Sequence, residues 1–234
     1  MKKTRFLSVA VVVVTVVLCA GAVGAFAARS VGDTTPPVTT STVAESYAGD
    51  VAFDLHATDA TGVSYVYYKF DKNKVNLTTV ATDTVYPSVD VKVSLPQIAA
   101  VDPHPEMIQL PLGPHTVTYW AQDVEGNVEA QNVKSFTVTP AVTLASSAAV
   151  VRAGKYFTLS GTLKPAMMVG VTISAKKPGA KSYSQLTTSE ANADGVFMYK
   201  MMTSLKGTWY FRAGYVDEAL GLAGNSSLGK VRVR

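Results

Sequence analysis

From Val51 to Ala57 the larger apolar side chains fall on every second position. Val51, Phe53, Leu55 and Ala57 share one side of an extended chain, and Asp54 and His56 take the other. Side chains alternate across a strand, so this pattern specifies a half-buried β-strand with one register. The pattern recurs in VSYVYYKFD (63–71), VKVSL (91–95), HTVTYWAQ (115–122) and KSFTV (134–138). It returns in YFTLSGTL, VGVTISAK, SYSQLTT, VFMYKM, TWYFRA and VRVR, between Tyr156 and Arg234. Turn chemistry separates the runs. Gly62 is predicted to end one strand before the next begins, and Pro178-Gly179 and Lys206-Gly207 are further turns. Asp194-Gly195, between two alternating runs, predicts a hairpin. No stretch after the N-terminal apolar segment has a helical period. Short strands with regular turns predict an all-β chain of antiparallel sandwiches.

The N-terminus obeys different rules. Lys2, Lys3 and Arg5 precede an apolar run from Phe6 to Leu18, and small residues follow up to Ala25-Phe26-Ala27. A basic start, an apolar middle and an Ala-x-Ala end read as a secretory signal over 1–27, cut after Ala27. The rival is an uncleaved anchor, because Phe6 to Ala28 is long enough to span a bilayer. Membrane contact is expected only in that second case. Cys19, the one cysteine, lies inside this segment, so the exported part has no disulfide and its core alone must hold it. The expected location is secreted or on the extracellular cell surface.

The formal net charge of +4 conceals two opposed halves. Between Asp33 and Thr139 there are 13 acids and 5 lysines, whereas Ala141 to Arg234 carries 12 basic and 4 acidic residues. Such asymmetry bears on association and partners rather than on fold.

Specific stretches carry a family resemblance. DTTPPVTT (33–40), ATDATGV (57–63), YYKFD (67–71) and GPHTVTYWAQDVEGNVE (113–129), in this order, resemble a bacterial Ig-like repeat of secreted and surface proteins. SLPQIAAVDPHPEMIQLP (94–111) departs from that pattern and is expected to be an enlarged loop. The second half resembles a different bacterial Ig-like type through GKYFTLSG (154–161), NADGVF (192–197) and KGTWYFRA (206–213). The resemblance implies two tandem Ig-like sandwiches: a linker at 28–40, an acidic domain at 41–139 and a basic domain at 140–234. It implies binding, spacing or display, and no particular activity.

The stretch after the aromatic run, Asp123-Val-Glu125-Gly-Asn127-Val-Glu129, places oxygen-bearing side chains at every second position. The simplest reading is a turn: Gly126 reaches positive φ, and the Asp123 carboxylate accepts from backbone N–H groups. Asp59 in ATDATG follows the same logic. The rival is a calcium site built from Asp59, Asp123, Glu125 and Asn127, since calcium takes six to eight oxygens. Acid–base catalysis needs two carboxylates in a cleft, and no catalytic residue is assigned. His56, His104 and His115 fit no metal or triad spacing. No enzyme activity and no cofactor other than this calcium are expected.

Two surfaces remain as candidates. With Val66, Tyr68, Phe70 and Tyr119 facing inward, Tyr65, Tyr67 and Trp120 face outward on neighbouring strands, as a ring patch for a sugar or a protein. In the second half, Trp209 and Phe211 are expected inside. Lys176, Lys177, Lys181, Arg212, Lys230, Arg232 and Arg234 form a basic surface for anionic envelope polymer or for the acidic first half of the same or a neighbouring chain. The expected partners are therefore cell-envelope polymer, glycan or another surface protein. No recognition motif for nucleic acid is present.

Overall fold

The computed structural model describes residues 32–71, 76–79, 86–95, 97–99, 106–226 and 229–234. The expected signal at 1–27, with Cys19, the first residues of the linker and His104 lie outside the described residues.

Every regular element described is a strand. The first nine are β1 (Val38–Ser41), β2 (Ser46–Ala48), β3 (Val51–Phe70), β4 (Asn76–Thr79), β5 (Tyr86–Leu95), β6 (Gln97–Ala99), β7 (Glu106–Ile108), β8 (Gly113–Asp123) and β9 (Asn132–Thr139). Short strands β10 (Ala141–Val142), β11 (Ala145–Ser146) and β12 (Val150–Val151) follow. Then come β13 (Tyr156–Lys164), β14 (Gly170–Lys176), β15 (Ser184–Glu190), β16 (Val196–Met202), β17 (Gly207–Asp217), β18 (Leu222–Asn225) and β19 (Gly229–Val233). The chain gathers into two compact units. Of the described residues, one comprises those within 32–43, 52–109 and 116–134, and the other those within 44–51, 110–115 and 135–234.

β1, β3, β8, β9 and β2 follow one another in a sheet, and β4 and β5 also pair with β3. The break expected at Gly62 is a bend within one long strand. β3 stays extended from Val51 to Phe70, with Gly62 at φ 116° and a register shift between Val63 and Tyr65. Glycine enters that region without a Cβ clash, so the chain turns while both flanks keep their partners. Residues 55–58 pair with β1, whereas 63–70 pair with β8. The two arms of the bent strand face each other: the Phe53 and Phe70 rings meet edge to face at 6.1 Å. Val66, Tyr68, Phe70, Val117, Tyr119 and Ala121 are buried, as the alternation predicted. The expected loop at 94–111 contains β6 and β7, which pair antiparallel as a two-stranded ribbon.

The remaining strands make a four-stranded sheet, β10-β13-β11 with β16 on β13, and a six-stranded sheet, β12-β19-β17-β14-β15 with β18 on β17. Alternate residues of both are buried, and the Phe157 ring of one meets the Phe211 ring of the other at 5.9 Å. Trp209 lies inside, stacked on Phe211 at 6.0 Å. β12 joins β19 in parallel, tied by Arg232 N to Ala149 O (2.8 Å), Arg234 N to Val151 O (3.0 Å) and Ala153 N to Arg234 O (2.9 Å).

The turn expected at Asp194-Gly195 forms, but it does not make a hairpin. Asn192 Oδ1 accepts from Asp194 N and Val196 N, and Gly195 takes φ 73°. β15 nevertheless pairs with β14, and β16 pairs with β13. The turn therefore carries the chain from one sheet to the other. A Cβ on Gly195 would lie 2.2 Å from the Leu163 carbonyl oxygen, so the close approach that seats this crossing also requires glycine.

Phe211 is fully buried between the two sheets. Phe211→Ala is expected to cost about 3–5 kcal/mol, read as a lower urea midpoint with the slope unchanged.

Candidate functional site

The oxygen-rich stretch is first of all a set of structural hydrogen bonds. The Asp123 carboxylate, 2% exposed, accepts from Asn127 N at 2.7 Å and from Asn127 Nδ2 at 2.6 Å. Asp123 N donates in turn to Asn127 O at 3.1 Å. Asp59 Oδ1 accepts from Thr61 N (2.8 Å), Thr61 Oγ1 (2.7 Å) and Gly62 N (3.0 Å), which closes the bend of β3. Glu129 does more than the alternation implied. Its two oxygens accept from Thr39 N (2.9 Å), Thr39 Oγ1 (2.6 Å), Ala121 N (3.0 Å) and Asn132 Nδ2 (2.8 Å), which links β1, β8 and the start of β9.

Two of the four expected calcium ligands, Asp123 and Glu125, meet directly, and the other two adjoin them: the Thr61 hydroxyl donates to both Asp59 (2.7 Å) and Asp33 (3.0 Å), and Asn127 bonds Asp123. Asp59 closes its own turn and shares the Thr61 hydroxyl with Asp33. Asn127 turns its Nδ2 donor toward Asp123 and toward the Asp33 carbonyl at 3.0 Å. The carboxylates that do meet are Asp33, Asp123 and Glu125, with one oxygen from each within 4.8 Å of the others. Asp33 is the member that sequence reasoning missed, although it opens the DTTPP stretch that entered the family resemblance. Thr35 N–H, and then the Thr61 hydroxyl, hold its carboxyl below the ordinary value. Glu125 Oε2 is buried without a hydrogen-bond partner. Three carboxylates supply part of the six to eight oxygens that calcium takes.

Two histidines have structural partners. His56 is exposed and its Nδ1 lies 2.6 Å from Asp90, whereas buried His115 donates from Nε2 to the Pro111 carbonyl at 2.9 Å.

The register of β3 on β8 brings the predicted aromatic residues together. Tyr67 stands opposite Trp120, and Tyr65 opposite Gln122. Tyr67 and Trp120 stack at 5.1 Å with 9° between their planes, and Tyr65 lies 5.9 Å from Tyr67. Lys69 Nζ sits 5.7 Å from the Trp120 ring, and the Tyr67 hydroxyl donates to Gln122 Oε1 at 3.0 Å. All three rings are half-buried rather than exposed, and Thr118, on the same side, is buried. The rings are ordered by one another, so much of their face area is already in use.

The basic residues separate into groups. Lys176, Arg212, Lys230 and Arg232 lie on the outer face of the six-stranded sheet, opposite the buried positions of their strands. Lys177 and Lys181 are exposed in the connection from β14 to β15, and Arg234 is exposed just past β19. Tyrosines hold two of the sheet cations. Lys176 Nζ is 5.0 Å from the Tyr210 ring and 5.9 Å from that of Tyr183, and the Arg212 guanidinium is 4.7 Å from Tyr183. Tyr183 lies in the run SYSQLTT, predicted as a strand, just before β15 begins at Ser184, but it was not singled out, because its two cations come from β14 and β17.

No protein-family model and no curated protein matches the sequence. Similar solved structures include the D00-D0 domain of intimin, at 11% identity and a TM-score of 0.34, over 83% of this chain and 99% of that one. Another is the fibronectin(III)-like modules of Clostridium thermocellum CbhA, at 14% identity and a TM-score of 0.29, over 84% and 93%. Dimeric latent PorU from Porphyromonas gingivalis matches at 12% identity and a TM-score of 0.36, over 86% of this chain. The chain spans only 20% of the PorU chain. These scores lie below the level at which likeness implies a shared fold.

Asp123→Ala is expected to destabilise the chain by about 2 kcal/mol, because two Asn127 donors lose a charged acceptor. Asp123→Asn, which keeps an acceptor, should lose less in the same denaturant titration. Burial, and then the neighbouring Tyr65, push the Tyr67 phenol above its ordinary value. The sign follows: this contribution to stability is complete below about pH 10 and is lost as pH rises through the folded-state value. In a phenolate absorbance titration, the component absent from Tyr67→Phe should ionise late, and Tyr65→Phe should shift it toward the ordinary value.

Proposed function

We propose that this chain is a non-enzymatic binding module, secreted or displayed at a bacterial cell surface, that adheres through open sheet faces. The observation that carries this reading is the division of labour among its polar groups. Asp59, Asp123 and Glu129, in the stretches where chemistry was conceivable, are engaged in turns and strand junctions. The rings and cations instead lie on the outer sides of sheets. A flat face ordered by cross-strand pairs suits a polymer or a protein surface better than a small substrate, which needs a concave site. In this reading two Ig-like sandwiches, acidic over 41–139 and basic over 140–234, follow a signal at 1–27 and a linker at 28–40. The ligand is an envelope polymer, a glycan or another surface protein.

Two further readings have specific support. The opposed charge of the two halves favours a spacer or subunit that assembles head to tail with a second copy. The Tyr65, Tyr67 and Trp120 ladder favours a sugar-binding accessory module. Stacking of Tyr67 on Trp120 leaves that ladder less free face than a sugar platform requires, so it ranks behind the basic face. Calcium at Asp33, Asp123 and Glu125 is a subsidiary reading, motivated by the buried Glu125 oxygen. Thermal unfolding in calcium and in chelator distinguishes it: equal midpoints fit the turn alone, and a rise of several degrees in calcium fits an ion.

Purified chain is expected to co-sediment with isolated bacterial cell walls, with binding that fades as salt shortens the Debye length. Trp120→Ala should leave that binding within about twofold. Absence from the pellet at every salt concentration would refute wall binding. Salt-dependent self-association by sedimentation velocity would then favour assembly.

A further inference from the structure

We propose that the outer face of the six-stranded sheet binds a linear phosphate polymer, laid along the strands of β14, β17 and β19. This rests on the binding-module reading and names the ligand class of one face.

Register places the cations in rows. Tyr210 of β17 has Lys176 of β14 on one side and Lys230 of β19 on the other. Two residues along β17, Arg212 stands beside Ser174, and two residues the other way Thr208 stands beside Arg232. Rows two residues apart are about 7 Å apart along the strand. Positive charge therefore recurs along a line. That arrangement complements a chain of repeating anions and exceeds what one small anion needs.

Three observations make these cations available. Among the described residues, no carboxylate forms an ion pair with Lys176, Arg212, Lys230 or Arg232. The four acids of 141–234 lie away from the rows. Glu190 pairs with Gly170 at the opposite end of β14 from Lys176, about 20 Å along the strand, and Asp194 follows in the next turn. Asp217 ends β17 opposite Leu222, and Glu218 follows it. Finally, Lys176 and Arg212 both lie within 6 Å of the one Tyr183 ring. Two like charges grouped about one ring raise the local positive potential, and an anion that reaches both is attracted by each. The rings also hold the long side chains, so less side-chain freedom is lost when a ligand arrives.

Phosphate fits better than carboxylate. A planar carboxylate presents one edge and suits a single Arg fork, whereas a tetrahedral phosphate presents oxygens in several directions. It can accept from ammonium groups on two strands and from a guanidinium in the next row.

The test uses the full chain and fluorescent inorganic polyphosphate, followed by polarisation across a salt series. Affinity is expected to rise with polymer length, with pyrophosphate binding weakly. Lys176→Gln with Lys230→Gln should weaken long-chain binding by about 10–100-fold and reduce the slope of log K against log salt by one to two. Lys155→Gln with Lys200→Gln makes the same charge change at the four-stranded sheet, where Lys200 also covers a tyrosine, and should change binding less than threefold. Unchanged denaturation midpoints will exclude misfolding as the cause. Equal loss in both double variants would overturn the proposal and leave only diffuse net charge. A polyuronate that outcompetes polyphosphate at equal charge would overturn the phosphate assignment. A single-stranded oligonucleotide that does so would overturn it in favour of base stacking on the tyrosines. Cell-wall binding that survives Lys176→Gln with Lys230→Gln would keep the binding-module reading and overturn this one. Polyphosphate binding without wall binding would keep this proposal and refute the cell wall as the ligand.

Discussion

A strand that buries one face has little choice of register, and what stands on its other face follows from that choice. Phe211, Ala213, Ile173 and Ala175 are buried. Slipping β17 by one residue against β14 would turn its apolar set to water and its charged set into the core. The same constraint sets Tyr210 between two lysines and Tyr67 opposite Trp120. The outer faces are therefore ordered by the core, at no cost in loops or special conformations. This is why the candidate surfaces here are rows along strands and not pockets at their ends.

The turns are held by a second kind of constraint. Three carboxylates, Asp59, Asp123 and Glu129, each gather two or more donors. Gathering N–H and O–H groups around an anion gives stronger hydrogen bonds than neutral pairs do. Glu129 acts as a junction, because Thr39, Ala121 and Asn132 come from separate parts of the chain. Asp33 joins this network through Thr35 and Thr61, whereas Glu125 beside it keeps one buried oxygen without a partner; among the described residues, these two and Asp123 bring three carboxylates together.

Much of this was legible in the sequence, for identifiable reasons. Alternation found the core face of β3, β8 and β17 and the position of β13 and β14, because burial on one side imprints itself residue by residue. The juxtaposition of Tyr67 and Trp120 followed once the two strands were taken as neighbours. Pairing itself was less legible. Asp194-Gly195 marks a tight turn whether its flanks pair with each other or part company, so local chemistry could not show that β15 and β16 enter different sheets. Gly62 likewise marks a change of direction, but not whether the strand ends or bends. Asp33, Tyr183 and Glu129 were missed as participants for a related reason. Each acts through partners distant in sequence, where only three-dimensional placement assigns a role.

The parallel union of β12 with β19 has a mechanical side. Tension along the backbone, applied at the two ends of this unit, pulls parallel neighbours in opposite directions along their shared axis. The three hydrogen bonds from Ala149, Val151 and Ala153 to Arg232 and Arg234 are then loaded together, in shear, and must give way as a group. An antiparallel pair pulled from its open end would yield them one after another. A chain attached at one end and gripped at the other would thus keep its sheets closed under a load that would unzip a simple hairpin, with lifetime governed by the unfolding barrier and not by equilibrium stability.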